Sequence, residues 1–280
     1  MSRLGLTSLL ILVSGTWAAA QHEPPVPKEL LERVDNWVRR FLADFRNCSA
    51  EETLEQTRWD RRGRAVAQRL IVSDYFVVRL PSGELAEFRD VLAVDGKTIR
   101  LPEQREQKWQ RLAAARSRAE IAALFTDPGS YRLAAEHFAN LALLVTRFAE
   151  RHWDTVKYFF AVDTSDPPRD DTLVGYRQLT GEGLILFDGK PVFPSGQAWV
   201  DPNDGHIQRI EETFEHKRIR YWTAVELAWD DGLKAWLPRE ITVRVFEKGR
   251  MTEQDVYSYA SFRRRHAYSQ AGTEALRSRP

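Results

Sequence analysis

The second half of the chain alternates between strand-like segments and tight turns, and this alternation limits the folds that it can adopt. Seven segments have strand character, namely residues 172–179, 184–187, 197–200, 207–214, 218–230, 235–246 and 251–263. Several of the turns between them end in glycine, as at Asp188-Gly189, Asp231-Gly232 and Lys248-Gly249. Connections this short join strands that pair antiparallel, whereas parallel strands need a long crossover. The pattern therefore predicts an antiparallel meander.

The first half of the chain predicts one amphipathic helix followed by hairpins. Apolar residues, including Trp37 and Phe41, recur at helical spacing over 28–45, and charged residues lie on the other side. Three strand-like segments follow, at 53–59, 65–80 and 84–94. Alternation in the second of them changes phase at Ser73-Asp74, which predicts a bulge or bend there.

A helical insert is predicted between these halves, over residues 103–152. One helix covers 106–125 and a second covers 131–151, with a Pro-Gly turn between them. A strand with three consecutive aromatic residues follows at 156–162. About eleven antiparallel strands and three helices fit one domain better than two. We therefore predict an α+β fold, in which a strongly curved antiparallel β-sheet forms a half-barrel and helices cover its concave face.

Residues 1–20 have the three parts of a secretory signal peptide. Arg3 supplies the positive charge, an apolar run follows, and Ala18-Ala19-Ala20 supplies the small residues of a cleavage site. An uncleaved membrane anchor is the alternative, but the apolar run is interrupted and short for a membrane span. We predict a periplasmic or extracellular protein without a transmembrane anchor after cleavage. It would have a single domain over 21–266 and a disordered tail over 267–280, where apolar periodicity is lost.

The charge balance excludes nucleic-acid binding as the main function. The chain has 41 basic and 40 acidic residues, and the predicted leader contains one of them, Arg3, so 40 of each sign remain. A chain without an excess of positive charge has no overall field to attract a polyanion. No nucleic-acid partner is therefore expected.

The common signatures of enzymes are absent from the sequence. It contains no H-E-x-x-H, G-x-S-x-G, G-x-x-x-x-G-K or G-x-G-x-x-G motif. The single cysteine, Cys48, excludes a multi-thiolate zinc site and an internal disulfide. We interpret it as a buried thiol, with a reactive or intermolecular thiol as the alternative. We predict a non-enzymatic protein with no cofactor, no metal and no catalytic residues.

Two polar groups offer metal or proton chemistry, and each has a simpler interpretation. On an extended backbone Glu150, His152 and Asp154 would share a face and could hold a metal, whereas at a helix end they form a solvated edge. The run 201–205 invites a calcium interpretation, but its spacing does not match an EF-hand loop, which favours a turn.

Two further features are basic. His137 could act as a base in a pocket, although a histidine at the core or its rim is the simpler interpretation. Arginines crowd the first hairpin and the end of the last strand, and they are Arg58, Arg61, Arg62, Arg64, Arg263, Arg264 and Arg265. If both groups lie together they could contact anionic headgroups, and ordinary solvated charge is the alternative.

A hairpin motif, G-x-x-W-[IV]-D-x-x-x-G-x-[IV]-x-[KR]-x-E, lies within residues 188–211. Its positions are Gly196, Trp199, Val200, Asp201, Gly205, Ile207, Arg209 and Glu211. Leu237-Pro238 and a Y-x-x-F ending, Tyr259 to Phe262, follow it. Over about its last third the chain resembles secreted bacterial proteins of the LolA-like class, which includes periplasmic carriers that sort outer-membrane lipoproteins. It is closer to other exported members than to the lipoprotein carrier itself.

The resemblance implies a half-open antiparallel barrel whose helices plug its concave side. Members of the class carry acyl chains or lipids across the periplasm, or sense envelope lipoproteins, without catalysis. The helical insert at 103–152 departs from the class, and no acyl-contacting arginine of the carriers matches a position in this chain. Trp199, Asp201 and Gly205 of the motif are interpreted as hairpin geometry rather than as a site.

Two hypotheses of function follow. The first is an exported envelope protein that holds a hydrophobic ligand, a lipid or acyl chain, between the curved sheet and its helices. Its predicted lining is Trp37, Phe41, Tyr75, Tyr158, Phe160, Tyr221, Val225 and Trp229. The second is an envelope scaffold without a small-molecule ligand, which would bind a protein partner through an edge strand or the arginines.

Overall fold

The computed structural model describes most of the predicted domain. Its described residues are 23–46, 48–79, 85–100, 128–133, 141–162, 171–180, 185–187 and 190–264, with Arg111, Glu120 and Ala123. The predicted leader, the tail 267–280, most of the helix over 106–125 and His137 lie outside these residues.

Strands dominate the described residues. The strands are β1 (Cys48–Trp59), β2 (Ala65–Arg79), β3 (Leu85–Val94), β4 (Lys97–Thr98), β5 (Val156–Phe160), β6 (Thr172–Gln178), β7 (Ile185–Phe187), β8 (Lys190–Val192), β9 (Ser195–Val200), β10 (Ile207–His216), β11 (Ile219–Asp230), β12 (Ala235–Glu247) and β13 (Arg250–Arg264). The helices are α1 (Lys28–Phe45) and α2 (Leu141–Thr146), with 3₁₀ turns at Pro128–Tyr131 and Glu150–His152.

Eleven of the strands form one antiparallel sheet in the order β4-β3-β2-β1-β13-β12-β11-β10-β9-β6-β5. Strands β7 and β8 form a separate hairpin. Strands β9 to β13 are consecutive neighbours, which confirms the predicted meander. The sheet is open and curved, and it carries few helices, so the predicted α+β half-barrel is confirmed.

One row of side chains crosses ten strands on the concave face, which we call the inner face. Its members are paired from strand to strand, and they are Val94, Ile71, Leu54, Tyr257, Ile241, Val225, Ile210, Ala198, Val174 and Phe160. All except Phe160 are buried. Residues in register share a face of a sheet, so this inner row makes a continuous apolar floor.

Helix α1 covers the inner row. Its bounds are those predicted from the apolar spacing, and it begins directly after Pro27, whose fixed φ suits the residue before a helix. Its buried apolar side chains are Leu30, Val34, Trp37, Val38, Phe41 and Phe45. They join the inner row in one core, so burial of apolar area holds the helix on the sheet.

A series of aromatic contacts runs from α1 onto the sheet. The ring centroids of Trp37 and Phe41 are 5.2 Å apart, those of Phe41 and Phe45 5.1 Å, and those of Phe45 and Tyr75 6.3 Å. Tyr75 then meets Tyr259 edge-on at 5.0 Å. Offset and edge-on pairs at these separations are favourable beyond their buried area.

Both edges of the sheet are protected. The segment before α1 lies along β5, where Phe160 donates a backbone hydrogen bond of 2.8 Å to Pro24 and Glu23 pairs with Lys157 at 2.6 Å. The other edge, β4, has two residues. Covered or short edges offer little backbone for another strand to pair with.

The insert and the first strands differ from the predictions in detail. Strand β1 begins at Cys48 rather than at residue 53, and β4 and β8 were not predicted. The helix predicted over 131–151 is wrong at its end, because the backbone N–H of Glu150 donates to the buried Asp35 carboxylate at 2.9 Å and starts a 3₁₀ turn instead. The bulge predicted in β2 at Ser73-Asp74 lies on the neighbouring strand instead: the β2–β3 register shifts between Val72 and Ser73 because Leu92 of β3 is an extra residue, while β2 pairs with β1 there without interruption.

The turn of the motif hairpin packs against the backbone of α1. Gly205 has a φ of +76°, and a Cβ atom there would lie 2.6 Å from the backbone nitrogen of Val34. Gly249, in the β12–β13 turn, has a φ of +77° and open space around it. Both positions favour glycine for its backbone freedom, but Gly205 is also needed for the close approach of α1.

We expect Gly205→Ala to destabilise the protein by roughly 3 kcal/mol, because backbone strain and steric overlap add. The control Gly249→Ala should cost about 1 kcal/mol, since it meets the backbone strain alone. Urea unfolding of the two variants measures the difference. Equal losses would show that α1 does not rest on this turn.

Candidate ligand-binding face

Six of the eight predicted lining residues lie together on the inner face. Trp37, Phe41, Tyr75, Tyr158 and Val225 belong to the main core, and Phe160 is half-buried against it. The structure places the other two outside the main core. Tyr221 stacks on Phe214 in a smaller cluster, and Trp229 is 48% exposed at the end of β11.

A second row on the inner face combines buried polar side chains with Val243, Tyr176 and Tyr158 of the main core, and it lies between the inner row and the smaller cluster. It runs parallel to the inner row, and its members are Arg69, Gln56, Asp255, Val243, Thr223, Glu212, Gly196, Tyr176 and Tyr158. Sequence reasoning missed the polar members of this row. The signal was present, because Gln56 and Glu212 stand in phase with the buried Leu54 and Ile210.

Arg147 anchors the C-terminal end of α2 to this row. Its side chain is 0% exposed, and its guanidinium pairs with Glu212 through Nε and through Nη2 at 3.0 Å. Nη1 donates to Gln178 at 3.2 Å, and the hydroxyl of Tyr176 donates to Glu212 at 3.0 Å. The hydroxyl of Tyr158 donates to the carbonyl of Arg147 at 2.5 Å.

These contacts make Arg147 and Glu212 dependent on each other. Burial raises the pKa of Glu212, and Arg147 and Tyr176 oppose that shift. A buried ion left without its partner is strongly destabilising, whereas a satisfied pair is close to neutral. The network therefore specifies where the insert docks more than it adds stability.

A second buried network holds the N-terminal end of α2. Arg89 donates from Nε to both carboxylate oxygens of Glu52 at 2.9 Å, and its guanidinium lies 5.1 Å from the ring centre of Tyr75. Glu87 accepts a hydrogen bond of 3.1 Å from the backbone of Ala142 and lies 3.9 Å from Arg89. Two carboxylates thus share one guanidinium, and burial raises the pKa of Glu87.

The segment 128–133 docks on the same face through polar contacts. The backbone N–H of Leu133 donates to Gln56 at 3.1 Å, and Gln56 donates to Asp255 at 3.0 Å. Arg69 donates to the carbonyl of Tyr131 at 2.6 Å. Polar side chains that point inward from the sheet therefore hold the described parts of the insert at three places.

The structure treats the two metal interpretations differently. Glu150, His152 and Asp154 lie on and beside a 3₁₀ turn rather than on a strand, so they do not share a face as proposed. Within the described ranges, the carboxylates and ring of Asp201, Asp204 and His206 are the group with ligand atoms within 4.8 Å of one another.

The side chains of this group already form hydrogen bonds within the turn. Asp201 accepts the backbone N–H of Asn203 at 2.7 Å, and Asp204 accepts from the backbone and ring of His206 at 2.9 and 2.7 Å. Although partial burial acts in the opposite direction, these bonds from His206 lower the pKa of Asp204. The interpretation of residues 201–205 as a turn is confirmed.

The two arginine groups do not form one patch. Arg263 pairs in register with Ser49 and Arg264 with Cys48, whereas Arg58 pairs with Glu253 at the other end of β13. Ten residues of extended strand separate these positions, or about 30 Å. The hypothesis of a joint patch is therefore wrong for the described arginines. Several are also paired, as Arg64 with Asp60 at 2.8 Å and Arg264 with Asp44 at 3.1 Å.

Cys48 is a buried free thiol, as predicted. Its Sγ lies 3.2 Å from the carbonyl of Asp44, and burial raises the pKa of the thiol to about 11. The thiolate is the reactive form, so this cysteine is protected in the folded protein.

No protein-family model matches the chain, and no curated protein matches it. Solved structures are similar to it at low identity. One is a domain named as an outer membrane lipoprotein-sorting protein, from Vibrio parahaemolyticus, with 8% identity over 88% of this chain and 98% of that chain and a TM-score of 0.42.

Two other structures are similar at the same level. A LolA superfamily protein from Nitrosomonas europaea has 13% identity over 85% of this chain and 92% of that chain, with a TM-score of 0.36. A DUF1329 family protein from Desulfovibrio piger has 13% identity over 86% and 95%, with a TM-score of 0.38. These similarities include the class that the hairpin motif resembles, at low identity and low TM-scores, and they do not extend to function. No helix among the described residues is long and apolar enough to span a membrane.

We expect Arg147→Met to destabilise the protein by about 3–5 kcal/mol, because Glu212 would be left buried without its cation. Adding Glu212→Gln should recover much of the loss. The control Arg64→Met, at an exposed pair, should change stability little. Urea unfolding measures all three, and a double variant as unstable as Arg147→Met would contradict this dependence.

A pH series tests the second network. The folded-state pKa of Glu87 is raised above its ordinary 4.5, so its contribution to stability is complete below pH 4.5 and is lost as pH rises through the folded-state pKa. Glu87→Gln keeps the acceptor for Ala142 and cannot ionise. We expect it to gain stability over the wild type at neutral pH and not below pH 4.5. The exposed Glu55→Gln is the control, and a gain only in acid would contradict the assignment.

Proposed function

We propose that this chain is an exported, non-enzymatic protein of the bacterial envelope that binds a lipid or acyl chain between its curved sheet and the helices on the inner face. The observation that carries the proposal is the inner row, a continuous apolar floor across ten strands with aromatic side chains of α1 above it. Six of the predicted lining residues belong to this core or pack against it, which supports the proposal.

Binding would exchange one set of apolar contacts for another. In this structure the side chains of Trp37, Phe41 and Phe45 are buried in one core with the floor, so α1 has to move for a ligand to take their place. Each methylene group of an acyl chain that is buried in their place contributes about 0.8 kcal/mol of favourable free energy. This gain can offset the free energy lost when α1 gives up its apolar contacts.

The arrangement of polar contacts supports such a movement. The two buried networks hold α2 and the turns that follow it, at Glu87 and Arg147, whereas the described contacts of α1 with the sheet are mainly apolar. Apolar contacts are not directional, and the buried Asp35 of α1 keeps its pairing with Arg39 of the same helix when α1 shifts, although its hydrogen bond from the backbone of Glu150 has to break.

The alternative, a scaffold without a small ligand, has less support. It relied on an edge strand or on a combined arginine patch. The β5 edge is covered by the segment that contains Pro24, and the described arginines of the two groups lie at opposite ends of β13.

Two measurements test the proposal together. Native mass spectrometry of protein purified from the envelope of its host should show an added lipid-sized mass that solvent extraction removes. A fatty acid brominated along its chain should then quench tryptophan fluorescence of the extracted protein, because bromine quenches on contact.

Tryptophan variants locate the bound chain. Trp37→Phe should remove much of the quenching, whereas Trp229→Phe, at the half-exposed predicted position, should leave it. Quenching that depends on Trp229 instead would contradict the proposed location. No bound mass and no quenching would overturn the proposal.

A further inference from the structure

The outer, convex face of the sheet carries a groove that the proposed function does not use. It crosses β5, β6, β9, β10 and β11 and has a volume of about 310 Å³. Its lining includes Phe159, Arg177, Ser195, Gln197, Thr213 and Trp222. These residues alternate along their strands with inward-facing ones, so the groove and the apolar floor are on opposite faces.

The groove exists because short side chains lie between long ones. One outward row reads Arg177, Ser195, Thr213 and Trp222 from strand to strand. The neighbouring row reads Phe159, Gly175, Gln197 and Glu211. Small residues therefore form the middle, and an aromatic ring stands at each end. Four inter-strand spacings separate β5 from β11, or about 19 Å.

The aromatic ring at the β5 end lies flat on the sheet. A Cβ atom on Gly175 would be 2.6 Å from Cζ of Phe159, so the ring occupies the space that any other residue would fill. Lys157 and Arg177 flank it, each under 6 Å from the ring centre. Glycine thus lets the ring act as part of the floor of the groove.

The polar groups between the rings are neutral or paired. Gln197 donates from Nε2 to Glu211 at 3.2 Å, and Arg209 donates to the other oxygen of Glu211 at 2.9 and 2.6 Å. This pairing fixes the orientation of the Gln197 amide. The hydroxyls of Ser195 and Thr213 can each donate and accept a hydrogen bond.

We infer that the outer groove binds an uncharged oligosaccharide. A sugar ring offers apolar C–H faces to an aromatic ring and hydroxyl groups at its edge to amide and hydroxyl side chains. The length of the groove suits a chain of several sugar units that extends from Phe159 toward Trp222. An acyl chain would leave the polar lining unsatisfied, whereas Ser195, Gln197 and Thr213 offer hydrogen bonds rather than a charge to a ligand.

A glycan array and calorimetry test the inference. The wild-type protein should bind uncharged oligosaccharides on the array. In calorimetry with the oligosaccharide that binds most tightly, the dissociation constant should rise about tenfold or more in Phe159→Ala and in Trp222→Ala. Thr213→Val removes a hydroxyl at nearly constant volume and should also weaken binding. Phe193→Ala, an exposed aromatic outside the groove lining, is the control and should bind like the wild type.

Each outcome has one meaning. Loss of binding in the groove variants with unchanged thermal unfolding supports the site. No glycan bound by the wild type, binding confined to charged glycans, or equal binding by all variants would overturn it. Quenching by the brominated fatty acid should be the same in Thr213→Val and the wild type, so failure of this inference is separate from failure of the lipid proposal.

Discussion

The pairing of β1 with β13 is the constraint on which the rest of the structure depends. It joins the N-terminal hairpins to the C-terminal meander. Without it the inner row would be divided into two separate, shorter apolar surfaces. Leu54 pairs in register with Tyr257, and Gln56 donates to Asp255, 199 residues away. Such long-range contacts form late because the loop that they close is long. A well-specified register is therefore valuable there, and the buried polar pair gives it.

Inward-facing charges specify where the helical segments dock on the sheet, as the buried polar pair specifies the register of β1 with β13. A sheet face made only of Val, Ile and Leu would accept a helix in several positions, since apolar contacts have no direction. Glu52, Glu87 and Glu212 are buried carboxylates whose positive partners are Arg89 and Arg147. The insert supplies Arg147 and the backbone N–H of Ala142, which donates to Glu87. Burial of an unpaired ion is costly, so the insert has one good docking position. Helix α1 is held mainly by apolar contacts, with one hydrogen bond from the backbone of Glu150 to its buried Asp35, so fewer polar contacts oppose its movement.

Local periodicity explains what could be predicted from the sequence and what could not. The bounds of α1 and the strands of the meander follow from periods of 3.6 and 2, which need no knowledge of distant residues. Alternation also places Tyr221 and Val225 on one face of β11, but it says nothing about how far along a strand a helix extends. The sequence alone therefore could not show that Tyr221 belongs to a separate cluster. The partners of Glu52 and Glu212 come from other elements, so their roles required the fold.

The two faces of the sheet carry different side chains for one physical reason. Alternation lets each strand present an apolar set inward and a polar set outward, so a change on one face need not disturb the other. Gly175 and Gly196 are exceptions. Gly175 makes room for the Phe159 ring outside, and a Cβ on Gly196 would lie 2.6 Å from the hydroxyl of Tyr176 inside. On β6 and β9 the outer groove and the Arg147 network therefore share a backbone, and a substitution at either glycine would disturb the packing of the aromatic ring on the neighbouring strand.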